Sequence, residues 1–110
     1  MKKYFVSPKE RNGSCYHEFF KGKWDKKTLW KEDSLCIHDN MYTHEFCGIM
    51  SKYVTGFSPF GINEVTKSQW EQVNNECIAQ GGVCEELVNE ISQWVEETFC
   101  EYDVFTILGI

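Results

Sequence analysis

Hydrophobic positions recur at two different periods along this chain, and the helical period is the clearer in its second half. The run Val65-Thr66-Lys67-Ser68-Gln69-Trp70 carries a complete helix start. Thr66 at the N-cap and Gln69 at N3 can satisfy each other's orphan amides, while Val65 and Trp70 bracket the turn as a hydrophobic staple. Trp70, Val73, Cys77 and Ile78 then fall on one face, and Gly81-Gly82 supply the left-handed residues that end helices. The pattern predicts a helix from Lys67 to Gln80. Beyond the glycines, Leu87, Val88, Ile91, Trp94, Val95 and Phe99 recur at spacings of three and four, opposite Glu86, Asn89, Glu90, Gln93, Glu96 and Glu97. This predicts a second amphipathic helix with an acidic outer face. The closing run Tyr102-Asp103-Val104-Phe105-Thr106-Ile107-Leu108 is β-branched and aromatic, too short for another helix, and predicts a strand that joins the sheet formed earlier.

The first half leans toward strand. Over the whole chain Ile, Val, Phe, Tyr and Trp number 32 against five Leu and Ala, a usage that favours pleated, half-buried surfaces. Expected strands are Lys3–Val6, Cys15–Phe20, Leu35–His38, Thr43–Met50 and Lys52–Phe57, punctuated by Gly13, Gly22, Asp39-Asn40, Gly56 and Pro59. Asp25–Lys31 reads as either a short helix or an exposed loop. The expected fold is α+β: an antiparallel sheet of about four to five strands packed against two helices of the C-terminal half, with a final C-terminal strand, as one domain over 1–110.

With 110 residues and 42% hydrophobic positions, the chain has core material enough to fold without metals or disulfides. Its basic opening is followed by only Tyr4-Phe5-Val6 before Ser7-Pro8, far short of the apolar region of a secretion signal, and no stretch approaches the roughly 20 apolar residues that span a bilayer. The expectation is a cytoplasmic protein whose six cysteines, Cys15, Cys36, Cys47, Cys77, Cys84 and Cys100, are thiols rather than three disulfides.

Charge changes the picture most. Residues 1–55 carry ten Lys/Arg against seven Asp/Glu, whereas residues 56–110 carry Lys67 alone against ten acids, and the whole chain has a net charge of −6. From Ser68 onward there is no Lys or Arg. Such a surface repels nucleic acid and anionic membrane and steers a basic partner toward it. Glutamates without i,i+4 cations also cost helix stability, which a cation-bearing partner would offset.

Catalytic and metal signatures are weak. Cys36, His38, His44 and Cys47 are zinc-ligand types within twelve residues, but no Cys-x-x-Cys pair is present and strand alternation would turn His44 and Cys47 apart, so no metal is expected. His17-Glu18, His38-Asp39 and His44-Glu45 put each histidine beside an acid, yet strand neighbours face opposite ways. His38, His44 and Lys52 could support metal-free phosphodiester cleavage, although the negative charge suits an RNA substrate poorly. Cys84 lies near a helix start, where thiols are activated, but Glu85 and Glu86 oppose a thiolate. Gly56-Phe57-Ser58-Pro59-Phe60-Gly61 lacks the ending of a phosphate-binding loop and reads as a turn tucked onto the core.

A small acidic α+β chain of this kind resembles the bacterial immunity proteins of contact-dependent growth inhibition and related polymorphic-toxin systems. The residues that carry the resemblance are Gly61-Ile62-Asn63-Glu64-Val65-Thr66 leading to Ser68-Gln69-Trp70, the Gly81-Gly82 break, the acidic helix through Trp94-Val95-Glu96-Glu97, and Asp103-Val104-Phe105-Thr106-Ile107-Leu108-Gly109. They cover about half the chain. The resemblance implies no reaction and no cofactor, but binding of a cognate toxin C-terminal domain, commonly a basic nuclease, whose active site the protein blocks inside the producing cell. A carboxylate-rich surface can stand in there for the phosphates such a site holds. The expected contact pool is Glu85, Glu86, Glu90, Glu96, Glu97, Glu101 and Asp103, with Trp24 and Trp30 as aromatic anchors. The alternative is a small metal-free hydrolase or nuclease using His38 and His44; an antitoxin or adaptor for another basic protein is a third reading.

Overall fold

Alternation along β5 (Val104–Leu108) explains the layering of the molecule: Phe105 and Ile107 enter the core beneath the helices, while Val104, Thr106 and Leu108 are buried on the opposite face of the sheet. This is a computed structural model describing residues 4–109. Ahead of β5 come β1 (Phe5–Val6), a 3-10 turn (Pro8–Glu10), β2 (Tyr16–Lys21), β3 (Leu35–His38), α1 (Asp39–Met41), a π-helical stretch (Tyr42–Phe46), α2 (Cys47–Tyr53), β4 (Ile62–Thr66), α3 (Lys67–Gln80) and α4 (Gly82–Glu101). The five strands form one antiparallel sheet in the order β1-β3-β2-β5-β4. The fold is the expected α+β arrangement, with the C-terminal strand inside the sheet. Lys3, where the first strand was expected to begin, lies outside the described residues.

The helix start at Thr66 forms as its residues dictate. Thr66 Oγ1 accepts from Gln69 N–H at 3.2 Å and Gln69 Oε1 accepts from Thr66 N–H at 2.9 Å, closing the capping box. Gly81 ends α3 with a positive φ of 74°, which a Cβ would disfavour. Val73, Cys77, Leu87, Val88 and Ile91 of the two helices then pack on Phe19, Phe105 and Ile107. Ile78, expected on this face, stands instead 44% exposed.

Two expected strands, Thr43–Met50 and Lys52–Phe57, are corrected by the structure. Residues 39–53 are helical, and Tyr42, Phe46, Ile49 and Met50 recur at helical spacing on their buried side. His38 caps the segment, its Nδ1 accepting from Asn40 N–H at 3.1 Å, and an N–H of Cys47 reaching Tyr42 C=O marks the wider π turn. Residues 54–61 form a loop in which Phe57 packs against the core and Phe60 is 60% exposed, so the tucked turn expected there is half realised. The loop leads to β4, a strand the pattern did not announce. Gly109 is required opposite it, because a Cβ there would collide with the Phe60 backbone.

Residues 22–34 settle as a loop, with no helix in Asp25–Lys31, whose end reaches α4 where Trp94 Nε1 donates to Asp33 C=O at 2.9 Å. Thr106 Oγ1 donates to Gly22 C=O at 2.8 Å, and the buried Glu18 carboxylate accepts the Trp30 and Lys31 amides at 2.7 and 2.9 Å. The expectation of six thiols is corrected at one pair. Cys77 and Cys84 form a disulfide across the α3–α4 link, their Cα atoms 5.1 Å apart. Cys15, Cys36, Cys47 and Cys100 are free.

Candidate partner-binding surface

α4 buries Cys84, Leu87, Val88, Ile91, Trp94, Val95 and Thr98 and turns its acids outward, but those acids do not act alike. Glu85 sits in the first turn, where a carboxylate complements the positive end of the helix dipole. Glu86 accepts the Tyr4 hydroxyl at 2.7 Å, and Glu90 accepts the Tyr4 and Phe5 amides at 2.8 and 2.6 Å. These two fasten β1 to the helix, and the contact pool loses them to the fold. Glu76 of α3 is similarly engaged, taking Lys52 Nζ at 2.7 Å and the Tyr53 hydroxyl at 2.6 Å, so its carboxyl is held below the usual range by those two bonds.

Glu96, Glu97, Glu101 and Asp103 follow one another toward and past the C-terminal end of α4 and are exposed. The last turn contains no basic residue, so Glu101 stands unopposed at the negative end of the helix dipole. Lys21 Nζ lies 4.0 Å from Glu97, and Lys67 lines the same groove as Glu96 and Glu97. Beside them a groove of about 840 Å³ runs between α3 and α4, floored by Trp70, Val95 and Phe99 and rimmed by Glu71, Glu96 and Glu97. Glu71 stands alongside only because α3 packs on α4, which the pattern along α4 does not show.

The two tryptophans serve their own loop. Trp24 Nε1 donates to Thr28 C=O at 2.6 Å, and Asp25 between them accepts from the Thr28 hydroxyl and from the Thr28 and Lys27 amides, which pull its carboxyl down to about 2. Trp30 adopts a left-handed backbone (φ 57°) and lies under the Arg11 guanidinium, 3.7 Å from the ring centroid. Both are half-buried, and no hydrogen bond or ring contact among the described residues joins either to the acidic end of α4.

The histidine chemistry is rearranged. His38 spends Nδ1 on the cap of α1 and packs edge-on to Tyr16, whereas His44 is exposed on the π stretch, and among the described residues no bond or ring contact links the two. The histidine that does meet an acid is His17, fully buried, with Nε2 2.7 Å from Asp39 Oδ1 and its ring 4.1 Å from that of Tyr42. Burial lowers its pKa, and the hydrogen bond and charge of Asp39 pull part of the way back. Glu18, its sequence neighbour, points through the sheet to the other face, so no pattern along the strand could reveal Asp39 as the partner. His17 Nδ1 and the Tyr42 hydroxyl are buried without a hydrogen-bond partner among the described residues, out of reach of a substrate.

The zinc-type residues are split by the sheet. Cys36 lies beside Glu18 on the face away from the core, its thiol pushed up to about 12 by burial, while Cys47 packs on the helical side. No group of three or more His, Cys, Asp or Glu that could hold a metal occurs among the described residues. Cys84 is buried in its disulfide, which removes it as a nucleophile. Among the described residues no helix is long and apolar enough to cross a membrane. No protein-family profile, curated protein or solved structure matches this chain.

Proposed function

We propose that this protein is an immunity protein of the cytoplasm, which binds and neutralises a cognate toxin domain, a basic nuclease, by covering its active site with the acidic end of α4 and the neighbouring groove. The observation that carries the reading is the run of exposed carboxylates Glu96, Glu97, Glu101 and Asp103 toward the C-terminal end of α4, with Glu101 in a last turn that has no basic residue to offset it. A cationic partner offsets that cost, and carboxylates on a partly apolar groove present to a nuclease site the charge it is built to hold. Glu71 joins the contact pool, and Glu86 and Glu90 leave it. Catalysis through His38 and His44 has less support, since one is occupied as a helix cap and the other stands apart on an exposed turn.

The test is coexpression with the C-terminal domain of the large reading frame immediately upstream, scored by growth and copurification. Rescue of a toxic domain together with a stable complex is expected. A toxic domain that is neither rescued nor bound, or no toxicity upstream, overturns the reading.

A further inference from the structure

The sheet ends at β4, and the outer side of that strand is open. Gly109 N–H donates to Gly61 C=O at 2.9 Å, which fixes residues 61, 63 and 65 as the ones bonded to β5. Ile62, Glu64 and Thr66 therefore aim their amides and carbonyls away from β5. Thr66 N–H is taken by Gln69 Oε1, so the helix start closes one end of the edge. At Ile62 and Glu64 no hydrogen-bond partner for these outward groups occurs among the described residues. Their side chains are exposed, Ile62 by 58%, on the sheet face opposite the buried Val65. The strand is also held in place: Asn63, buried between them, binds both the amide and the carbonyl of Ser58 at 2.8 Å. A fixed edge with free backbone groups and an exposed apolar side chain is a template for one more strand.

Charge selects the occupant. A second copy paired antiparallel, Ile62 against Glu64 of the other chain, would join two molecules of net charge −6 and bring both Glu64 carboxylates within diagonal reach. A strand with Lys or Arg opposite Glu64 and an apolar residue opposite Ile62 meets both side chains and the free backbone groups together. We propose that β4 is a docking edge for an extended segment of a partner protein that carries a basic and an apolar residue two positions apart, on one face of the added strand. The proposal stands apart from the toxin reading, since it concerns a different surface.

An amide-resolved NMR titration with a short synthetic Lys/Val peptide, its Lys and Val two positions apart and separated by Thr, tests it, with the Glu/Val peptide of the same spacing as the charge-reversed control. Expected are shifts centred on β4 and slowed hydrogen exchange at the Ile62 and Glu64 amides with the Lys/Val peptide alone. Glu64→Lys should weaken the binding several-fold. Glu64→Pro, which removes an outward N–H together with the carboxylate, should abolish the protection of the Ile62 amide while leaving the β5 resonances in place. Shifts confined to Glu96, Glu97 and Glu101, protection of Ile62 and Glu64 that rises with protein concentration without peptide, or no response to either peptide each overturn the proposal. Growth rescue by coexpression is a separate readout, so either idea can fail alone.

Discussion

His17 is the residue whose environment makes the sharpest demand. Burial holds its folded pKa below the ordinary 6.5, so the unfolded chain takes up the proton first as pH falls. Stability from this group is thus complete above 6.5 and declines as pH drops toward its folded value. Asp39, held below its ordinary 3.8 chiefly by the His17 hydrogen bond, contributes stability above 3.8 that is lost only as pH falls through its own lower folded value. Both erode in acid, the histidine first. Urea unfolding should give a midpoint that is flat from pH 7 to about 8 and falls as pH drops below 6.5, and His17→Phe should flatten that fall because Asp39 is partly exposed and tolerates the loss. An equal slope in the variant would show that another group carries it.

Among the elements, α4 is loaded unevenly, favourably at its start and unfavourably at its end. Glu101→Gln should raise the stability of the free protein by about 0.3–1 kcal/mol at low salt, with the gain fading as salt is added. Glu85→Gln should shift it the opposite way, and thermal melts of the pair check the sign. The Cys77–Cys84 bridge closes a short loop, so reducing it should lower stability by at most about 2.5 kcal/mol, read as a drop in urea midpoint with dithiothreitol that Cys77→Ala abolishes. α3 and α4 were legible because cap, stop and period agree there. The helix over 39–53 was not, since its aromatics and the Asp39-Asn40 break ahead of them imitate strands, and its helical period shows only once Tyr42, Phe46, Ile49 and Met50 are known to be buried together. β4 was hidden by Asn63 and Glu64, which break the apolar run. The acidic face was legible as a face, but the division of labour within it was not: Glu86 and Glu90 bond to a strand more than eighty residues away, a fact of tertiary structure alone.

At the scale of the whole molecule, the net charge of −6 sets the sign of the long-range field that a basic partner meets. The end of α4 presents four exposed carboxylates, and the loop that carries the exposed Lys23, Lys26 and Lys27 begins at Gly22 against the Tyr102 ring, so cations flank the acidic end on that side. Such a field speeds encounter, and carboxylates seated in the active site in place of phosphates are also paired there, so they lengthen the life of the complex as well. Reversing Glu96 and Glu101 to Lys together should therefore slow association with the cognate domain by roughly tenfold or more at low ionic strength and speed dissociation too. The wild-type rate should fall steeply as salt rises and approach that of the variant near 1 M, where the Debye length is about 3 Å. Stopped-flow mixing across that range separates the outcomes. Slower association with unchanged dissociation would leave these carboxylates hydrated at the rim and outside the active site, and an unchanged association rate would mean that the partner approaches from another side.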